Sequence, residues 1–104
     1  MQPKFSSDEC AYGSSLLCPL CGDNHLHHMR VEVFERKEDQ ELGVHAVVGA
    51  GKASIDTNLA GNPSIRRHGL SVHLQCENCS KVSVLTIAQH KGETFVDSKV
   101  ENQS

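Results

Sequence analysis

The sequence predicts an all-β protein, a small antiparallel sheet of hairpins organised around four cysteines. Apolar residues recur at every second position in several segments, as a strand with two different faces requires. No segment sustains the 3.6-residue period of a helix. Four of the five cysteines form two Cys-x-x-Cys pairs that lie far apart in the chain, and these pairs are predicted to meet at one site around which the sheet is organised.

A single folded domain is expected because 104 residues bury only a modest share of their surface. Both ends are polar and show no sustained period. The chain is therefore predicted to consist of a flexible segment 1–16, a folded β domain 17–97 and a flexible tail 98–104. Three Phe, one Tyr and no Trp disfavour a large aromatic-lined ligand pocket.

The first predicted hairpin joins two segments in which apolar and polar residues alternate. Val31 and Val33 share one face of its first strand. Gly49 and Gly51 end its second strand because they bring no side chain to pack. The hairpin is predicted to consist of strand 28–36, charged turn 37–43 and strand 44–48.

The segment 52–62 is small and polar and is predicted to be a long loop, which ends at a turn marked by Pro63. Beyond it, Leu70 and Val72 alternate with polar residues and place Cys76 on the same face, toward the interior. Three strands are predicted here, over 70–76, 82–89 and 94–96. The predicted apolar interior consists of Val31, Val33, Val44, Val48, Leu70, Val72, Leu74, Val84, Leu85 and Ile87.

The paired cysteines have the spacing of metal ligands. Two cysteines separated by two residues can direct both sulfurs at one ion from a tight turn, and two such turns complete a tetrahedral shell. Gly22 suits the first turn because Gly accepts a positive φ angle, and Asn78 is able to take the left-handed conformation in the second. The predicted ligands of one structural zinc ion are Cys18, Cys21, Cys76 and Cys79.

Other interpretations of the cysteines stay open. A shell of four thiolates also accepts iron. Four buried free thiols would require two equal spacings to arise by accident, and redox-active pairs would be expected to open a helical pattern. A shell of four cysteines leaves no coordination position for water or substrate, so the predicted site is structural.

The runs CPLCG and CENCS, each beside a β segment, resemble the zinc-ribbon class of domains over about half the chain. This resemblance implies an all-β fold around one structural zinc ion. The interval between Cys21 and Cys76 is long for a minimal ribbon and must hold an inserted hairpin and loop. The runs NPSIRRHGL and TIAQHKGET also resemble small uncharacterised proteins of bacteria and their phages, a resemblance that implies no activity.

Basic charge is concentrated near the second cysteine pair. Residues 66–91 hold four Lys or Arg and a single Glu, although the whole chain has a net charge of −3. That net charge disfavours a polyanion-binding surface over the entire domain. A local patch is expected to contact phosphates or acidic side chains of a protein, with ordinary solvated charges as the alternative. The predicted partner-binding residues are Arg66, Arg67, Lys81, His90 and Lys91, which are expected to converge.

The seven histidines indicate a function less clearly than the cysteines do. His25, His27 and His28 are expected to be exposed beside the first cysteine pair, or else to contribute ligands to the metal or to a second site with Cys10. The isolated histidines are expected at the surface, namely His45, His68, His73 and His90.

The sequence favours a non-catalytic, zinc-stabilised module of the cytosol that binds a protein, as an adaptor or inhibitor encoded by a phage or mobile element. Reducing conditions there keep cysteines available for metal, and no apolar run is long enough to span a membrane. A homodimer through an exposed edge strand is a further expectation. A nucleic-acid-binding zinc ribbon is the alternative, although stacking aromatics are missing. A metal-dependent nuclease of the His-Asn-His type using His27 and His28 is the third.

Overall fold

The computed structural model describes residues 1–37 and 40–101, apart from the side chains of residues 8 and 9. All regular secondary structure in those residues is β-strand, which confirms the all-β prediction. Among them there is accordingly no helix of the length and apolarity needed to cross a membrane. The strands are β1 Phe5–Cys10, β2 Gly13–Leu16, β3 Leu26–Glu35, β4 Val44–Gly49, β5 Lys52–Asp56, β6 Gly69–Cys76, β7 Val82–His90 and β8 Glu93–Val100.

Six strands form one antiparallel sheet in the order β5-β4-β3-β6-β7-β8, and β1 pairs with β2 in a separate hairpin. The predicted hairpin of β3 and β4 and the predicted strands β6 and β7 are confirmed. Strand β8 is longer than the three residues predicted for it. The segment 57–68 leads from the β5 edge back to the centre of the sheet, where β6 pairs with β3.

Two segments contain strands that the sequence analysis did not predict. The prediction of a loop over 52–62 is wrong for its first five residues, because Lys52–Asp56 forms edge strand β5 after a tight turn at Ala50 and Gly51. Only two of its five residues are apolar, Ala53 and Ile55, so its alternation is too short to distinguish a strand from a loop. The hairpin of β1 and β2 lies within the predicted segment 1–16.

The proposed boundaries of the domain stay a prediction. Residues 38 and 39 of the predicted turn and the last three residues of the predicted tail lie outside the described residues.

One face of the sheet is covered by the loop 57–68, and we call it the covered face. Phe34 lies there with 1 % of its surface exposed. A Cβ atom placed on Gly61 would lie 3.6 Å from the Phe34 ring, so the loop passes directly over it. The loop is fixed at its far end by Ser64, whose hydroxyl donates a 2.7 Å hydrogen bond to the carbonyl oxygen of Gln89.

On the opposite face Leu74, Ser83 and Ser98 are buried, at 9 %, 5 % and 7 % exposed, but apolar residues of the neighbouring rows are exposed. We call the apolar part of this face the open apolar face. It consists of two adjacent rows of side chains that cross all six strands. One row contains Ile55, Ala46, Val33, Leu70, Ile87 and Val96, and the next contains Ala53, Val48, Val31, Val72, Leu85 and Ser98.

The predicted interior is therefore wrong in part. Leu74 and Val84 are buried as predicted, but Val33, Val44 and Val48 are 41 %, 46 % and 57 % exposed. The physical reason is that the long loop closes on the other side of the sheet, over Phe34.

Candidate metal centre

The first cysteine turn is closed by two backbone hydrogen bonds. The N–H of Gly22 donates to the carbonyl oxygen of Cys18 at 2.9 Å, and the N–H of Cys18 donates to the carbonyl oxygen of Asp23 at 2.8 Å. Gly22 has a φ of 79°, as predicted from its position after the second cysteine. Glycine adopts this conformation without a Cβ penalty, so the sequence supports the turn locally.

The second cysteine turn repeats the same pattern. The N–H of Ser80 donates to the carbonyl oxygen of Cys76, and the N–H of Cys76 donates to the carbonyl oxygen of Lys81, both at 3.0 Å. Ser80, with a φ of 62°, takes the position that Gly22 has in the first turn. Asn78 is able to adopt the left-handed conformation but does not do so, because the sharp bend falls two residues later, after the second cysteine.

The four sulfurs converge where the two turns meet. The Sγ atoms of Cys18 and Cys79 lie 3.8 Å apart, and those of Cys21 and Cys76 lie 3.5 Å apart. All four lie within 4.8 Å of one another. Four sulfurs bound to one tetrahedral ion at about 2.3 Å lie about 3.8 Å apart. The predicted cysteines are therefore close enough to hold one metal ion.

The electrostatics of the site favour thiolate at one position and oppose it at another. The side chain of Asn78 and the backbone of Asp23 lower the pKa of Cys21 to about 6. Backbone groups of Cys79 and Asn78 favour the Cys76 thiolate, but burial and the adjacent thiols outweigh them and raise its pKa to about 11. A cation among the four sulfurs would relieve this conflict, because it stabilises every thiolate around it.

The centre joins parts of the chain that are distant in sequence. Leu26 at the start of β3 pairs with Cys76 at the end of β6, and the N–H of Glu77 donates to the carbonyl oxygen of His25 at 3.0 Å. A metal ion held there would connect the segment before β3 to the turn between β6 and β7. It would thus tie the two central strands together at one end.

The histidines after the first turn lie at the surface. His25 contacts the Asp23 carboxylate at 3.2 Å, and the side chain of His27 contacts that of Glu77 at 3.0 Å. Cys10 is exposed. In the part of the chain that the structure describes, no group of three or more His, Cys, Asp or Glu other than the four cysteines could hold a metal ion.

The predicted basic patch is divided between two ends of the sheet. Arg67 and His90 line one shallow cavity of about 260 Å³. Lys91 lies in the adjoining turn, with a φ of 51°, and Arg66 precedes Arg67 in the loop. Lys81 lies before β7, whose nine residues extend for about 30 Å. The expectation that all five residues converge is therefore wrong for Lys81, which lies beside the cysteines.

Sequence analysis missed a polar cluster on the covered face. The two Glu32 carboxylate oxygens contact Nε2 of His45 and Nε2 of His73, each at 3.0 Å. His45 also contacts Asp56 at 2.9 Å and stacks on Phe34 with the ring centroids 4.5 Å apart. The expectation that these two histidines are surface residues is wrong, because His73 is 8 % exposed and the His45 side chain 12 %.

Burial raises the pKa of Glu32, but hydrogen bonds from His45 and His73 and the charge of Arg30 outweigh it, so this pKa is lowered. Burial likewise lowers the pKa of His45, and its bonds to Glu32 and Asp56 outweigh that effect, so this pKa is raised. The strand pairing that brings these residues together has no signature in the sequence. The alternation that puts Glu32 and Phe34 on one face of β3 was the only signal available.

Comparisons with models of protein families, with curated proteins and with solved structures gave no match. The resemblance to the zinc-ribbon class therefore depends on the four cysteines and their geometry, and no family assignment accompanies it.

Proposed function

We propose that the chain is a non-catalytic module, stabilised by one structural zinc ion, that binds another protein. The observation that supports it best is the open apolar face, on which Ile55, Val48 and Val96 are 76 %, 57 % and 46 % exposed. Surfaces of this kind occur where proteins contact proteins. We further propose that the chain acts in the cytosol as an adaptor or inhibitor and that a phage or mobile element encodes it.

Zinc as the metal is supported by the ligands and by their geometry. Four thiolates in a tetrahedron suit zinc, and iron is the main competitor. The shell is closed by Cys18, Cys21, Cys76 and Cys79, which leaves no position for a substrate and supports a structural role.

Metal analysis of the purified chain tests this part. We expect one zinc per chain, loss of that zinc in Cys21→Ser, and an unchanged content in Cys10→Ser, which replaces an exposed cysteine outside the group. Iron in place of zinc would contradict the choice of metal. A second ion per chain that depends on His27 and His28 would contradict the non-catalytic role and support the metal-dependent nuclease.

Protein binding is tested by recovery of partners on the tagged chain. Ile55 is 76 % exposed on the open apolar face, and Ser54 is its exposed neighbour on the opposite face of the same strand. We expect Ile55→Glu to abolish the recovery of proteins that the unmodified chain retains, and Ser54→Glu to leave it unchanged. Equal recovery with both variants would overturn a role for this face in binding a different protein.

Nucleic-acid binding is the second candidate, and one observation favours it. Arg67 and His90 line the same cavity beside Lys91, so part of the basic patch does lie together at the turn between β7 and β8. Fluorescence polarisation with labelled DNA and RNA at low salt tests this. Affinity that falls as salt rises, and that weakens in Lys91→Gln, would support it. Negligible affinity at low salt would eliminate it.

A further inference from the structure

The open apolar face is more apolar than ordinary surface. Eleven of the twelve residues in its two rows are apolar, and the exception is Ser98. Ile55, Val48 and Val96 are 76 %, 57 % and 46 % exposed in the single chain. On this side of the sheet the six strands have one charged residue, Glu35, and it lies at the margin. Contiguous apolar patches of this kind mark interaction sites.

The area of this face suits a stable interface. Six strands about 4.8 Å apart and two rows about 7 Å apart give a flat area of roughly 400 Å². The accessible surface of projecting side chains is larger, on the order of 600 Å². Two such faces packed together would bury about 1,200 Å², which is the lower bound of stable, specific interfaces.

We propose that a second copy of the chain covers this face, so that two sheets pack face to face as a β-sandwich. The inference rests on the proposed protein-binding function and names its partner. Obligate homodimer interfaces resemble a domain core cut in half, whereas transient partners meet through surfaces about as polar as the rest of the protein. The two rows have the composition of a core. They also carry no charge, so two copies with a net charge of −3 meet there without close repulsion.

The edges of the sheet are less suited to pairing than its open face. Edge strand β5 has five residues and begins with Lys52, and short charged edges resist pairing. At the other edge, the backbone of Ser98 is already paired with Met1, because its N–H donates to the Met1 carbonyl oxygen at 2.8 Å. The Met1 amino group also donates to the carbonyl oxygen of Ser98 at 2.9 Å. These contacts favour the face over the edge strand that the sequence analysis proposed for a homodimer.

The mass of the zinc-loaded chain in solution tests the inference. By analytical ultracentrifugation between about 1 and 100 μM we expect a dimer for the unmodified chain and for Ser54→Glu. Val48→Glu and Ile55→Glu should increase the dimer dissociation constant at least about 100-fold, because each would bury a charge in an apolar interface. Circular dichroism and zinc content should stay unchanged, since both side chains are largely exposed in the single chain.

If a charged variant fails to fold, Val48→Ser and Ile55→Ser are expected to weaken the dimer about 10-fold. A monomeric unmodified chain at 100 μM would overturn the inference, and so would a dimer that the face variants leave intact. Either result would still leave protein binding to be decided by the recovery experiment with Ile55→Glu. Conversely, a dimer that the face variants disrupt, with no foreign protein lost in the recovery experiment, would confirm the second copy and overturn a foreign partner at this face.

Discussion

The two faces of the six-stranded sheet reverse the usual relation between polarity and burial. The covered face contains Glu32, His45 and His73, yet these side chains are buried or half-buried beneath or beside the loop 57–68. The open apolar face has almost no polar side chain, yet Ile55 and Val48 are mostly exposed. The loop 57–68 therefore buries polar groups on the covered face, while apolar side chains of the opposite rows stay exposed in the single chain.

Metal removal should have the largest effect, because both faces depend on the cysteine centre that joins β3 to β6. Chelation, or Cys76→Ser, is expected to abolish cooperative unfolding. Structural zinc sites contribute on the order of 10 kcal/mol to folding, more than a small domain has in reserve. Thermal unfolding by circular dichroism measures this. Cys10→Ser serves as the control and should melt as the unmodified chain does.

A metal-free chain that still unfolds cooperatively, with the same midpoint, would show that the sheet needs no metal. Strand pairing and the contacts of the loop 57–68 would then be enough to hold the fold.

Two adjacent residues of β3 give the sharpest contrast between the faces. Phe34→Ala removes a ring that is 1 % exposed on the covered face and is expected to cost about 3–5 kcal/mol. Val33→Ala removes a side chain that is 41 % exposed on the open face and should cost less than about 1 kcal/mol in the isolated chain. Urea unfolding of the zinc-loaded protein, at a concentration where the chain is monomeric, gives both values.

Equal losses in these two variants would mean that the open apolar face is packed in the single chain. That outcome would contradict its exposure and remove the reason for a partner there.

The sequence predicted those features that local spacing determines. The cysteine ligands and the first turn were predictable because each pair needs only its own tight turn, with Gly22 at the bend. Strands β6 and β7 were predictable from residues that suit strands, over lengths close to those observed. The bend of the second cysteine turn was not predicted at Ser80, because serine has no preference for the positive φ that this residue adopts.

Features that depend on distant pairing could not be predicted. Alternation placed Val33 and Phe34 on opposite faces correctly, but it cannot tell which face the loop 57–68 will cover. The cluster around Glu32 needs three strands in register, so His45 and His73 seemed isolated in the sequence. Strand β5 has only two apolar residues, Ala53 and Ile55, and is held by its pairing with β4.

The contact between the loop and the covered face can be tested at Gly69. A Cβ atom there would overlap Oδ1 of Asn62 and approach the Pro63 ring at 2.8 Å, so Gly69→Ala must displace the loop. We expect a loss of about 1–3 kcal/mol in the free energy of unfolding. Gly61→Ala is the matched control, because its Cβ would make only an ordinary 3.6 Å contact with Phe34. Similar losses in both variants would contradict close packing of the loop at Gly69.

The smallest expected effect is the pH dependence of the cluster on the covered face. The raised pKa of His45 means that its contribution is fully present below its ordinary value of 6.5 and is lost as pH rises through the raised value. The lowered pKa of Glu32 means that its contribution is present above 4.5 and is lost as pH falls through the lowered value. The cluster should therefore stabilise the fold most between these two ordinary values. Protonated His45 also stacks favourably on Phe34.

His45→Gln tests this dependence, with His28→Gln as the control at an exposed histidine of β3. The unmodified chain is expected to exceed His45→Gln in stability by on the order of 1 kcal/mol near pH 6, and the difference should shrink toward pH 8. Taking the difference between variants removes the separate effect of pH on zinc binding, which acts in the opposite direction because acid protonates the thiolates. A difference that grows with pH would contradict the stabilisation of protonated His45 by Glu32 and Asp56, and with it the polar character assigned to the covered face.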